Sequence, residues 1–545
     1  MSRVMLSGET PLLNETLEAA PSIHRMCSIP EGGWERLWTW ATERINPIVV
    51  KEVRQSLKSK QFSVSFGLTL IAAVAWTLIA ISLMIPRIYF IPGGLPLLTG
   101  FFCILQVPLM IIIPFSAFRS LTTETEDSTF ELLSISALSA WQIVLGKMTS
   151  ALLQILLYLS ALAPCIVLTY LLRGVSLFSV LFLLSLTVVF SVVETALALL
   201  LASVTRARIL QAGATVLLLA GLVLVFFSWA YWMVNGLIDD VNGPPPEIYL
   251  VLFGIATVVG VALELVLRAA AAAIDFPSEN HSTPLRRRLL ILVSVILFWS
   301  TLAVVASQEV EIAYVFLTGT FLVSMFIGSL MTGERGIISP RACRSLPKTF
   351  AGRIFLTWFF PGAGMGYIFL VCMFAAVVAT MSLTEIYYSI TMQLRFGRSA
   401  VAYVGYLMLC YLIIYVGLNR LLMLAAAKRM PTPMLGSFAL MTVSLVVAHL
   451  LPLITVYYFN DYREFDYDWH QAFNIFWTCM EASEDRVSGL EMSTILVTLA
   501  SIGIFGLNLM LSTRDVMLIR VAEPPRNRLE SLEAAAKKIN DPFAD

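Results

Sequence analysis

Long apolar runs alternate with short polar stretches from about residue 63 to residue 512, and twelve of the runs are long enough to cross a bilayer. A hydrocarbon core of roughly 30 Å takes about 20 helical residues. The runs cover approximately 63–85, 97–118, 148–170, 176–203, 209–234, 249–272, 289–307, 312–332, 365–384, 400–424, 434–459 and 488–512. The pattern predicts an all-α polytopic membrane protein with about twelve transmembrane helices. Residues 1–45, with Pro11, Pro21 and Pro30 and few large apolar side chains, read as a cytoplasmic tail without a secretory leader. The chain after 513 reads as a second cytoplasmic tail.

Composition agrees with this class: 58% of residues are hydrophobic and 13% charged, against about 25% charged in ordinary globular domains. Net charge is zero, so no nucleic-acid partner is implied, but the distribution of cations is informative. With the N-terminus inside, Arg87, Arg173, Arg395, Arg398, Arg463 and Arg486 fall outside and the other 30 of 36 Lys and Arg fall inside. This asymmetry predicts cytoplasmic termini. Seven scattered cysteines make no disulfide framework. His24, His281, His449 and His470 have no metal-ligand spacing, so no metal is expected.

Residues 46–62 predict an amphipathic helix lying in the headgroup plane. Asn46 is a candidate N-cap, Pro47 suits the first helical position, and Val49, Val50, Val53 and Leu57 share a face apart from Lys51, Arg54 and Lys58. The bilayer is thus the first expected partner. Twelve spans divide into residues 63–272 and 289–512, joined by a 273–288 linker, as a repeat about an axis along the membrane normal would.

Residues 120–147, SLTTETEDSTFELLSISALSAWQIVLGK, interrupt the apolar pattern and contain two capping boxes, Ser128 with Glu131 and Ser139 with Gln142. They predict a short helix near 129–135 and a second that starts near Ala140 and continues into the third span. The stretch resembles the cytoplasmic loop of ABC-2 type ABC transporter permeases, over about residues 46–204. The matching positions are Glu124, Glu126, Thr129, Glu131, Leu132, Leu133, Leu138, Ser139, Gln142, Ile143, Val144, Gly146 and Lys147; Thr125, Ser128 and Ala137 depart from the usual Arg, Gly and Pro.

The resemblance implies the transmembrane subunit of an ATP-driven exporter in the cytoplasmic membrane. Its loop would dock a separate ATP-binding subunit through Glu124, Glu126, Thr129, Glu131, Leu132, Leu133, Ser139, Gln142, Gly146 and Lys147. That partner would hold ATP and Mg, because this chain carries no phosphate-binding G-x-x-x-x-G-K-[ST] loop and therefore no expected cofactor of its own. A second docking loop is expected at Glu334, Arg335, Arg341 and Arg344, which makes the chain a pseudo-dimer; the alternative is pairing with a second permease copy.

Intramembrane polar residues form the remaining candidates. Gln106 lies beside Pro108 and Pro114, a kink that is either a hinge or static. Glu194 lies deep in the fourth span, as a functional carboxyl or a hydrogen-bonded structural one, and His449 is a proton relay or a packing residue. Glu264 and Arg268 suit an i, i+4 pair, Gly362 and Gly366 the spacing of a close helix approach, and HQAFNIFWTCM (470–480) a short external helix. The rival functions are a non-transporting membrane scaffold of an ATPase complex and an intramembrane enzyme, for which no H-E-x-x-H or G-x-S-x-G stands in the chain.

Overall fold

The computed structural model describes residues 47–86, 93–126, 139–172, 175–205, 208–238, 247–275, 280–307, 311–334, 349–391, 400–426, 433–459, 469–483 and 490–520, with a few isolated positions besides. All regular structure among them is helical, and twelve helices are long and apolar enough to cross a membrane. The protein is a multi-pass membrane protein. Helices solve the problem of backbone polarity in lipid within a single segment.

α1 (Pro47–Leu57) precedes the spans. In the first six, α2 is Lys60–Met84 and the second span is α3 (Gly94–Gln106), a π-helical turn (Val107–Ile112) and α4 (Ile113–Glu126); α5 (Ala140–Leu171), α6 (Leu177–Val204), α7 (Arg208–Ile238) and α8 (Glu247–Ile274) follow. In the second six, α9 is Ser282–Ser307 and α10 Glu311–Thr332, then a short α11 (Phe350–Phe355) and a 3-10 turn (Thr357–Phe359). α12 (Ala363–Thr391), α13 (Ala400–Ala426) and α14 (Pro433–Phe459) lead to a 3-10 turn (Trp469–Phe473), α15 (Ile475–Ser483) and α16 (Leu490–Arg520). The helical stretch thus starts at Ser282, inside the expected 273–288 linker, and ends at Arg520, inside the expected tail.

Hydroxyl caps start several helices. Ser59 accepts from the Phe62 amide, Ser176 from Ser179 and Thr349 from Gly352. The Ser139–Gln142 capping box forms with both reciprocal bonds; the Ser128–Glu131 box, and the helix expected near 129–135, lie outside the described residues. The expected proline kink takes the form of the π turn at Val107–Ile112, with Pro108 near its start. Ser191 of α6 donates to the Leu109 carbonyl there at 2.6 Å, satisfying a backbone acceptor inside the bundle.

The same helix neighbours recur in the two sets of six. Second span packs on fourth (α4 with α6, α10 with α13), fourth on sixth (α6 with α8, α13 with α16) and third on sixth (α5 with α8, α12 with α16). Second on third, second on fifth and first on third recur likewise. The buried apolar clusters respect this division: two lie within residues 73–274 and one within 289–497. The main contact between the sets is α8 with α9, where Trp299 donates to Thr257 at 2.8 Å and stands over Gly254.

The expected external helix is corrected. α15 forms, but it and the turn before it fold into the bundle. Tyr411 and Tyr415, about 16 and 22 Å along α13 from its Ala400 end at 1.5 Å per residue, donate to the Ala472 and Phe473 carbonyls, each at 2.6 Å. A helix end leaves carbonyls that need a partner at such depth, and the two tyrosines supply it. Asn474 caps the inner end of α15 through the Trp477 amide, and the Phe476 ring lies 5.1 Å from that of His449.

Candidate functional site

The site is built around Lys147, two turns into α5 and 3% exposed. Its ammonium has three donors, and three acceptors surround it: Glu124 at 3.0 Å, Glu52 at 3.3 Å and the Ser120 hydroxyl at 2.8 Å. Glu52 comes from α1, Ser120 and Glu124 from α4. Lys51 adds a longer contact of 3.9 Å to Glu124. The Ser56 and Ser150 hydroxyls, 2.8 Å apart, tie α1 to α5 again one turn away. The amphipathic helix is therefore fastened to protein through an acid and a serine. Val50 on its apolar side is exposed, as contact with acyl chains would require.

Behind this cluster lies a cavity of about 450 Å³ between α1, α2, α4 and α5. Its mouth carries Lys51 and Arg119, its walls Ser56, Ser59, Ser116 and Ser150, and its deep end Ser65, Gln154 and Tyr158. Tyr158 and Ser65 hydroxyls lie 2.7 Å apart. Phe62 and Phe66 pack on the Tyr158 ring with centroids 5.7 and 5.5 Å away. Gln154 is 8% exposed, and its amide has no hydrogen-bond partner among the described residues.

Glu124 turns inward to Lys147 instead of standing as a free surface charge. Gly146 is buried in α5 beside Lys147, and Ser139 and Gln142 form their box. Glu126 ends α4, and its side chain, with Thr129, Glu131, Leu132 and Leu133, lies outside the described residues. In the second loop Glu334 also turns inward, bonded to Arg286 and Ser282; Arg335, Arg341 and Arg344 lie outside the described residues.

Gln106 is fully buried, its amide nitrogen 3.3 Å from the Met233 sulfur. Both carboxyl oxygens of Glu194 are sealed and without a hydrogen-bond partner among the described residues. His449 bonds through Nδ1 to the Leu445 carbonyl at 2.6 Å, the geometry of a packed residue, and its Nε2 is sealed. Gln106, Glu194 and His449 do not line the cavity. Glu264 pairs with Arg268 as expected and also with Arg288 of α9 at 3.0 Å, while Arg268 stacks 4.4 Å from the Trp141 ring centre.

Two buried arginines carry more of the structure than the spacing of residues suggested. Arg286, 1% exposed, donates to the Trp358, Phe360 and Gly362 carbonyls and pairs with Glu334. Arg420, also 1% exposed, bonds Asn508, Ser512 and Asp515 of α16. The expected helix approach at Gly362 and Gly366 has a different basis. A Cβ on Gly364 or Gly366 would stand 2.5 or 2.9 Å from the Arg420 or Arg286 guanidinium, and Gly362 takes φ +134°. Arg420 and Gln154 had a signal in sequence, a charge and an amide inside apolar runs; Glu52 had a fainter one, as the lone acid in a basic helix.

No protein-family model, curated protein or solved structure matches the chain.

Proposed function

We propose that the chain is the transmembrane permease subunit of an ATP-driven exporter, coupled through residues 120–147 to a separate ATP-binding subunit that holds ATP and Mg. The observation that carries this reading is the convergence of α1, α4 and α5 on Lys147. Residues 127–138 leave the end of α4 and return at Ser139, so both flanks of the proposed docking loop belong to one ion-paired unit. A displacement of the loop is delivered to two spans and the interfacial helix together. This is what a permease needs in order to convert nucleotide-driven movement into rearrangement of its helices.

The recurrence of helix neighbours supports a pseudo-dimeric chain in which the 333–349 stretch is the counterpart of the first loop. Glu334, anchored by Arg286, stands at the end of the eighth span much as Glu124, anchored by Lys147, stands near the end of the second. In this reading both loops and both termini face the cytoplasm, and the bilayer is the cytoplasmic membrane.

The test is ATPase activity of the ATP-binding subunit in liposomes, with the intact chain and with Glu131→Lys plus Leu132→Asp. Stimulation by the intact chain that the double variant abolishes, at equal insertion, is the expected result. Absence of both stimulation and co-purification overturns the proposal and leaves the scaffold and enzyme readings.

A further inference from the structure

The cavity behind Lys147 has features that the coupling role does not use. Three cations and two carboxylates border it: Lys51, Arg119 and Lys147 against Glu52 and Glu124. Lys147 engages both acids. A surplus positive charge is left at the mouth, where Arg119 is exposed and has no acidic partner among the described residues. The interior is rich in hydroxyls and ends at the Gln154 side chain, 8% exposed and without a hydrogen-bond partner among the described residues. Gln154 lines the cavity with an amide donor and acceptor that no described residue takes up, and a polar group enclosed away from bulk water gains from such a bond, so the site suits a ligand with oxygen atoms.

Depth selects the ligand. Ser59, at the start of α2, and Ser65, six residues on, mark a descent of about 9 Å along the first span. That exceeds the roughly 5–7 Å headgroup layer on each side of the hydrocarbon, so the cavity runs from the headgroup level to just inside the acyl region. Its wall changes accordingly, from Lys51 and Arg119 to the aromatic Phe62 and Tyr158. α2 beyond this point faces outward, with Val64, Leu68 and Ile71 exposed.

We propose that this cavity is a binding site for one anionic glycerophospholipid. Its phosphodiester lies between Lys51 and Arg119, its glycerol and ester oxygens meet the serine hydroxyls and Gln154, and its acyl chains leave past Phe62 along α2. The proposal stands independently of the permease reading. A site that clasps α1 to α2 through lipid makes the seating of the interfacial helix depend on the charge of the surrounding leaflet.

The experiment titrates the delipidated, purified full chain in detergent with dioleoyl phosphatidylglycerol and follows retained lipid by native mass spectrometry and thermal shift. Dioleoyl phosphatidylcholine, glycerol 3-phosphate and inorganic phosphate are run in parallel. The expected result is one phosphatidylglycerol retained per chain. Lys51→Ala plus Arg119→Ala weakens it by about tenfold or more, as loss of charge-assisted bonds does. Gln154→Leu weakens it without touching a charge. Arg54→Ala plus Lys58→Ala, exposed on α1 and in the turn after it, leaves it unchanged. Equal weakening by that second pair shows diffuse attraction to a basic helix and overturns the proposal. Retention of glycerol 3-phosphate or phosphate as tightly as the lipid overturns the assignment to an amphiphile, as does equal retention of phosphatidylcholine. Melting of each lipid-free variant near the wild-type value separates loss of binding from loss of fold.

Discussion

The two sets of six spans share their helix neighbours yet bury charge in opposite ways. In the first, Lys147 meets two carboxylates and a serine on the wall of a cavity. In the second, Arg286 and Arg420 are sealed, and backbone carbonyls supply many of their acceptors. The difference follows from the side chains. Lysine is a compact point charge on a flexible stem, whereas the guanidinium fork holds several acceptors in a fixed plane. Arg286 binds the stretch from Trp358 to Gly362 to α9, and Arg420 binds α13 to α16. The second set is a locked frame; the first keeps its cation beside a space into which α1 and α4 can shift.

The largest expected effect that tests this contrast is at Arg286. Arg286→Met removes the guanidinium that bonds three carbonyls and Glu334 from a buried position and destabilises by about 3–5 kcal/mol, read as lost thermal stability in detergent. Arg286→Lys recovers little of it, because an ammonium cannot span the carbonyls and the carboxylate together. A melting curve like wild type for either variant would remove the frame from the account. At Lys147 the expected cost is smaller, about 1–3 kcal/mol: Glu52 and Glu124 line the cavity, where water can replace the lost ammonium, and no backbone carbonyl depends on it. Lys147→Met should instead raise hydrogen exchange of residues 47–57, since α1 loses its main anchor. Equal losses for Lys147→Met and Arg286→Met, with α1 still protected, would erase the distinction between open and sealed charge.

How far this could be read from sequence depended on the kind of interaction. Each of the twelve apolar runs coincides with a helix, as 312–332 does with Glu311–Thr332, because hydropathy over 20 residues is a local property. The capping box at Ser139 was equally local. The partners of Lys147 were not: Glu52 lies 95 residues away, and no spacing rule joins them. Glu124 and Glu334 read as surface charges for the same reason, since the cations that turn them inward come from other helices. Counting spans puts the 470–480 segment in an outside loop between the eleventh and twelfth; its fold into the bundle depends on Tyr411 and Tyr415, some 60 residues earlier in the chain.

That inward fold supplies the next test. Tyr411→Phe leaves the Ala472 carbonyl without its donor in a buried place and is expected to cost about 1–3 kcal/mol. Tyr406→Phe on the same helix removes an exposed hydroxyl pair with Thr498 and should stay within about 0.5 kcal/mol. Parity between the two would mean that the Trp469–Phe473 turn is not held by the tyrosines.

The smallest effect concerns Cys479, which lies in α15 and so reports directly on how tightly the second set is closed. Burial pushes its thiol up to about 12. The reactive species is the thiolate, which burial therefore suppresses. Peptide mass mapping after maleimide treatment at pH 7 and pH 9 should therefore find Cys479 unlabelled at both. Tyr411→Phe should make it reactive at pH 9 first, because loosening of the turn admits water to α15 and lowers the thiol toward its ordinary value. Prompt labelling of the wild-type thiol at pH 7 would place α15 in water and return the segment to the outer surface of the bundle.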